Sequence, residues 1–112
     1  MGGYSNYANG VHSTVNGGWA NWAYGYAAIV VGGYGNSAKT TDYGTIVGGY
    51  DNTIVSGDWA FIGGGDDGVA YGTYAAVEGG SDNQAIGTGA FVLGGIANVA
   101  QASYAAVGGE LG

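Results

Sequence analysis

A repeat of 15 or 16 residues runs through the chain and limits its possible folds more than any other feature. Gly-Gly pairs open seven units at residues 2, 17, 32, 48, 64, 79 and 94, and a partial eighth unit begins at Gly109. The second-last position of every complete unit holds a β-branched aliphatic residue: Val15, Val30, Ile46, Ile62, Val77, Val92 and Val107. Composition alone does not produce such a column, so the sequence predicts one repeat domain over residues 1–112.

Inside each unit the pattern alternates with a period of two, which is typical of β-strands. The seventh position supplies a second inward column of small or aliphatic residues: Ala8, Ala23, Ala38, Ile54, Ala70, Ala85 and Ala100. We therefore expect two strands of about four or five residues in each unit, separated by glycine turns. A helix is excluded because glycine would fall in every turn.

Stacking the units gives the fold class, an all-β parallel β-roll or solenoid of about seven coils. The strands of each coil pair with the same strands of the next coil, about 4.8 Å away, which gives a rod of roughly 34 Å. The two inward columns fill its thin core, and the Gly-Gly pairs are expected to supply positive φ at the corners. The fifth position is asparagine in six units. This asparagine either shares the corner conformation or stacks its amide on the asparagine of the next coil.

Charge and composition exclude several classes of function. The chain has 27 glycines, no proline, no cysteine and a net charge of −7, with Lys39 as its single basic residue. Nucleic acid is not an expected partner because almost nothing could neutralise phosphates. No apolar run is long enough to cross a membrane as a helix, so we expect no membrane insertion by this segment. The hydrophobic fraction of 46%, with ten Tyr and three Trp, argues against disorder.

Catalysis is not expected either, and neither a catalytic residue nor a cofactor is predicted. His12 is the single histidine, and its neighbour Ser13 falls in an inward column of small residues. Cysteine and arginine are absent from the sequence, so thiol chemistry and arginine-based anion binding are excluded.

The large apolar side chains fall on positions that should point outward. They form stripes along the rod, and the residues predicted to pack against other chains are Ile29, Phe61, Phe91, Trp59, Tyr74 and Tyr104. Soluble monomers rarely expose stripes of this kind, which usually mark an interface. The alternative is that ladders of aromatic rings simply shield the backbone of a single rod.

Acidic residues occupy the fourth position of three consecutive units, at Asp51, Asp67 and Asp82. Stacked coils would place these carboxylates about 5 Å apart along one edge. Such a column either recruits a cation such as Ca²⁺, which prefers carboxylate and carbonyl oxygens, or is an ordinary solvated turn. The solvated turn is the favoured interpretation, and the three residues are only a weak candidate metal site.

The repeat resembles the head of the trimeric autotransporter adhesins, the YadA-like heads. The matching stretches follow an Asn-x-Ala-x-Gly pattern or its continuation: NYANG at 6–10, NWAYG at 21–25, NQAIG at 83–87, GDWAFIGGG at 57–65, VAYGTYAAVEGG at 69–80 and ASYAAVGG at 102–109. The resemblance implies a left-handed parallel β-roll in each chain and a homotrimer with apolar faces together. The neck, coiled-coil stalk and membrane anchor of such adhesins have no counterpart in this sequence, which therefore looks like part of a longer chain or a chain built to be repeated.

Two functions follow as expectations. The first is an extracellular adhesion head on a bacterial cell surface, which binds a matrix protein or a glycan through its outward columns. The second is a self-assembling structural unit, such as a filament-forming solenoid or a tail-fibre segment of a phage. Uncapped solenoid ends present unpaired strand edges, which would allow the end-to-end contact that a filament needs.

Overall fold

The computed structural model describes residues 2–39 and 42–111. Sixteen two-residue strands, numbered β1 to β16 along the chain, run through these residues, and no helix occurs among them. All pairings between strands are parallel and join neighbouring coils, so the predicted all-β parallel solenoid of seven coils is confirmed. The rod measures 35 by 22 by 12 Å, and its length agrees with about 4.8 Å per coil.

Two seven-stranded sheets face each other across the core. The first sheet contains β1 (Tyr7–Ala8), β3 (Trp22–Ala23), β5 (Ser37–Ala38), β7 (Thr53–Ile54), β9 (Val69–Ala70), β11 (Gln84–Ala85) and β14 (Val99–Ala100), in that order. The second sheet contains β2 (Thr14–Val15), β4 (Ile29–Val30), β6 (Thr45–Ile46), β8 (Phe61–Ile62), β10 (Ala76–Val77), β12 (Phe91–Val92) and β15 (Ala106–Val107).

A third, narrow ladder joins the coils at the third position of each unit. Parallel bridges connect Tyr4, Trp19, Tyr34, Tyr50, Asp66, Ser81 and Ile96 in sequence. The ladder ends in a two-stranded pair of β13 (Gly95–Ile96) and β16 (Glu110–Leu111). Each coil therefore has two corners. The first corner, which contains this ladder, leads into the first sheet, and the second corner leads from the first sheet to the second.

The strands are shorter than the four or five residues that the pattern predicted. Positive φ values interrupt them at both corners, on the fourth position and on the fifth-last position of the units. The non-glycine residues with positive φ are Ser5, Ala20, Asp51, Asp67, Asp82 and Ala97 at the first corner, and His12, Ala27, Tyr43, Trp59, Tyr74 and Tyr104 at the second. From coil 2 onward, their N–H groups donate to a carbonyl of the preceding coil, as in Asp51 to the Tyr34 carbonyl (2.8 Å). This hydrogen bond offsets a conformation that such side chains rarely adopt.

The two inward columns lie where the sheets meet, and eleven of their predicted members are buried: Val15, Val30, Ile46, Ile62, Val77, Val92, Ala23, Ala38, Ala70, Ala85 and Ala100. Ile54, in the same column as Ala23, is also buried. The prediction was wrong for Ala8, which is exposed, and Val107 is only partly buried. The chain climbs as it circles the rod, so the first strand of coil 1 and the second strand of coil 7 each lack one covering neighbour.

The asparagine that recurs at the fifth position of the units forms a buried amide ladder at the first corner rather than a positive-φ turn. The Asn36 Nδ2 group donates to the carbonyls of Gly32 and Gly49, each at 3.0 Å, and its Oδ1 accepts the N–H of Asn52 at 3.0 Å. The same arrangement pairs both ends of the amides of Asn6, Asn21, Asn52 and Asn83. Gly68 interrupts the ladder, because it can donate its N–H to Asn52 but has no amide to offer the next coil.

Glycine has different roles at its different positions. In each Gly-Gly pair the second residue takes positive φ, as in Gly65 at +94°, whereas nothing lies within 4 Å of a Cβ placed on Gly64. At the second corner, a Cβ on Gly57, Gly72 or Gly87 would overlap the carbonyl oxygen of the next coil. These three positions therefore need glycine for close approach of the backbones and not for φ.

Candidate functional surface

The outward side of the second sheet is the most apolar surface of the rod. We call it the apolar face, and its largest side chains are Ile29, Val31, Val47, Phe61, Phe91 and Leu93. Leu93 is 55% exposed, and the two phenylalanines are half-buried among their neighbours. These residues project outward because Val and Ile at the alternate positions of the same strands point into the core. Glu78 is the acidic residue on this side.

An aromatic ladder stands beside the apolar face at the second corner. Its central rings are stacked: Tyr43 and Trp59 have centroids 5.4 Å apart at 6°, and Trp59 and Tyr74 5.3 Å apart at 10°. Tyr104 lies over Gly89, where a Cβ would come within 2.7 Å of the ring. The six residues predicted for an interface thus divide between two adjoining places. Ile29, Phe61 and Phe91 lie on the apolar face, and Trp59, Tyr74 and Tyr104 lie on the ladder.

The same ladder includes a residue that the alignment of units missed. In coil 2 the ladder position is Ala27, and the ring comes instead from Tyr26, which packs edge-to-face against His12 at 5.5 Å and Tyr43 at 5.6 Å. In the sequence, Tyr26 comes one position before the ladder column, so an alignment of the units by column does not detect it.

A second set of aromatic rings occupies the first corner and the adjoining first sheet in the early coils. Tyr4, Trp19, Tyr34 and Tyr50 follow one another up the third-position ladder, with centroids 5.1 to 5.7 Å apart. Tyr7 and Trp22 meet edge-to-face on the outward side of the first sheet. From coil 5 onward Asp66, Ser81 and Ile96 replace the rings at the first corner, so the two ends of this corner differ in chemistry.

The acidic column lies at the first corner, with Asp51, Asp67 and Asp82 aligned in coils 4, 5 and 6 and exposed to solvent. The Asp51 carboxylate lies over Gly35 in the preceding coil, where it would overlap an added Cβ. Within residues 2–39 and 42–111, no three His, Cys, Asp or Glu side chains gather closely enough to hold a metal ion. The three aspartates are therefore aligned along the corner, but their carboxylates do not form a metal-binding cluster.

Negative charge at this corner raises the pKa of one phenol, that of Tyr50. The Asp51 carboxylate is the main cause of a raised pKa of Tyr50, and desolvation and the neighbouring Tyr34, Asp66 and Asp67 add to it. The phenol must ionise next to negative charge, which disfavours the phenolate.

The single histidine, His12, and its neighbour Ser13 both make contacts within the second corner. The Ser13 hydroxyl donates to the Gly10 carbonyl at 2.7 Å within the second corner, and the His12 ring packs against Tyr26. Both contacts belong to the turn between the sheets. Among the described residues there is also no helix long and apolar enough to cross a membrane.

Comparisons with known proteins do not assign the chain to a family. No protein-family model matches the chain, and no curated protein sequence matches it.

Proposed function

We propose that the chain is a non-catalytic adhesion head of the YadA-like kind. Three left-handed rolls pack side by side as a homotrimer on a bacterial cell surface, as part of a longer chain, and bind a matrix protein or a glycan. The observation that supports this proposal best is the apolar face on a rigid sheet. Its side chains are fixed by a fully paired backbone and remain in water only while the chain is alone.

The size of the rod suits such an assembly. Its broad side measures 35 by 22 Å, close to the roughly 800 Å² that each partner buries in a stable protein interface. The aromatic ladder at the second corner extends this area around one edge. Aromatic residues are enriched at the centres of protein interfaces, so Trp59, Tyr74 and Tyr104 would close the contact between neighbouring rolls.

The alternative is an end-to-end filament, in which a further coil would dock on an end of the rod. Uncapped strand edges at the ends of a solenoid allow this contact. A filament has no fixed mass, whereas a trimer does, so molar mass distinguishes the two assemblies.

Molar mass by light scattering, measured across protein concentration with and without calcium, tests the assembly. A constant mass of three chains is expected, and the double variant Phe61→Ser/Phe91→Ser should shift it toward one chain. The matched control, Val69→Ser/Val99→Ser, removes apolar groups from the outward side of the first sheet and should leave the trimer intact.

Other outcomes of the same measurement are equally informative. A monomer at all concentrations would overturn the trimer, and mass that grows without limit would favour the filament. A calcium-dependent mass would make the column of Asp51, Asp67 and Asp82 a binding site after all. Binding of the trimer to arrays of matrix proteins and glycans then tests adhesion itself, and a trimer that retains none of them would be a structural unit only.

A further inference from the structure

We propose that Trp19, with Tyr4 and Tyr34 on either side, is a stacking platform for a sugar ring of a neutral glycan. The inference rests on the proposed adhesion function and names the ligand class and the site. An open depression lined by Tyr4 and Trp19 lies at this place on the first corner.

The orientation of the Trp19 ring is the first argument. Tyr34 stacks on Tyr50 one coil further on, at 5.1 Å and 6°, so the ring of Tyr34 lies across the rod axis. Trp19 is inclined by 67° to Tyr34 and by 84° to Tyr4. Neither tyrosine is therefore stacked flat on the indole.

Trp59 shows that exposure alone does not create such a platform. The two indoles are almost equally exposed, Trp19 at 52% and Trp59 at 51%. Trp59, however, lies nearly parallel to Tyr43 and Tyr74, which cover its two faces. Of this pair, only Trp19 has no aromatic ring stacked parallel to it, and it lines the open depression.

The charge distribution selects the class of ligand. Residues 1–38 contain no Asp, Glu, Lys or Arg, and the acidic residues begin at Asp42. The site thus has no cation to pair with sulfate or carboxylate groups, and the net charge of −7 repels anionic polymers. An anionic ligand is therefore disfavoured at this end, and a neutral sugar needs no charged partner.

The remaining chemistry fits a sugar. The face of an aromatic ring carries partial negative charge, which attracts the polarised C–H groups on one side of a pyranose. Tyr4 and Tyr34 carry phenol groups that both donate and accept hydrogen bonds, and Ser5 is exposed next to Tyr4. An aromatic surface with a few polar groups around it is the usual lining of a small-molecule site.

Affinity electrophoresis in gels that contain a soluble neutral β-glucan tests the proposal on the full chain. We expect retarded migration of the wild type, loss of at least tenfold in affinity for Trp19→Ala, and partial recovery for Trp19→Phe. Tyr71→Ala, which removes an exposed ring from coil 5 and leaves the proposed contact between rolls untouched, is the matched control and should bind like the wild type.

Parallel runs with sulfated dextran and with phosphatidylcholine vesicles distinguish the other ligand classes. Retention by the sulfated polymer alone, binding to vesicles alone, or no retention at all would overturn the proposal. Equal losses in Trp19→Ala and Tyr71→Ala would do so as well. The molar mass separates this site from the proposed trimer, because Trp19-dependent retention by a monomer would remove the trimer and leave the glycan site standing.

Discussion

The two corners of each coil solve the same geometric problem in different ways. Both reverse the chain with a residue of positive φ whose N–H bonds to the preceding coil, such as Asp51 at the first corner and Trp59 at the second. The first corner is filled by buried asparagine amides that bind carbonyls of two coils. The second corner has no such ladder inside; its backbones pass so closely that a Cβ on Gly72 would overlap the next coil.

Both columns contain exceptions to their usual residue. Gly68 replaces an asparagine in the middle of the rod, and the ladder resumes at Asn83. In the glycine column of the second corner, Thr41 replaces glycine in coil 3 and Ala102 replaces it in coil 7. A hydrogen-bonded column can therefore lose one member at an interior position. The close approach that excludes a Cβ belongs to individual glycines, such as Gly72, and not to the whole column.

The largest expected effect is at the second corner. Gly72→Ala places a methyl group against the Gly87 carbonyl, and a whole coil must shift to relieve the overlap. We expect a loss of about 3 kcal/mol or more in the free energy of unfolding, measured by urea denaturation. Gly64→Ala, with open space around its Cβ, should change stability by less than about 1 kcal/mol. Equal losses in the two variants would mean that close approach does not distinguish the glycines.

Loss of an amide at the first corner should come next. Asn36→Ala leaves the carbonyls of Gly32 and Gly49 and the N–H of Asn52 without their side-chain partner. Unpaired buried groups of this kind cost about 1–3 kcal/mol each when water cannot reach them, so we expect about 2–3 kcal/mol after relaxation. The control Asn16→Ala removes an exposed amide and should be near neutral. A cost for Asn36→Ala as small as the control's would show that the ladder contributes little.

Completing the ladder should have a smaller effect of the opposite sign. Gly68→Asn supplies the missing amide, and its Cβ would lie 2.9 Å from Asn52 Oδ1, a contact that the side chain can adjust. We expect about 1 kcal/mol of stabilisation, from the new hydrogen bonds and from reduced freedom of the unfolded chain. Gly68→Ala separates the two causes, because it restricts the backbone without an amide. A destabilised Gly68→Asn would show that coil 5 has adapted to the gap.

The smallest effect concerns charge on the outside of the first corner. The pKa of the Tyr50 phenol is raised, chiefly by Asp51. The folded state thus holds this proton more tightly than the unfolded state, so the associated stability is present below about pH 10 and is lost as the pH rises through the raised pKa. The difference in phenolate absorbance between the wild type and Tyr50→Phe reports the titration. Asp51→Asn should move it to lower pH, and an unchanged titration would assign the shift to another cause.

Much of the fold could be predicted from the repeat, because stacking in register requires identical residues at identical positions. The Val/Ile column and the Ala column gave the inward positions, and the spacing gave the number of coils. Strand length could not be predicted, because Trp59 and Tyr74 disfavour the positive φ that they adopt. Hydrogen bonds to the preceding coil impose it, and a window of local sequence does not contain that coil.

The candidate surface was predictable only in part. Ile29, Phe61 and Phe91 follow from alternation along a strand, since their neighbours Val30, Ile62 and Val92 point inward. The contribution of Tyr26 to the aromatic ladder, and the different orientations of Trp19 and Trp59, depend on how rings pack between coils. Ring orientation is set by contacts with residues about 15 positions away, such as Tyr34 above Trp19.

The sequence by itself determined that this chain stacks: its period, its inward columns and its near absence of basic residues are properties of composition and order. The tertiary structure decided which glycine of each pair must be glycine, which asparagine groups are paired, and which aromatic faces stay open. The physical reason is distance. The periodic pattern is visible from the order of residues within each coil. Overlap with a carbonyl, hydrogen bonding to an amide and ring stacking all depend on the next coil, about 4.8 Å away.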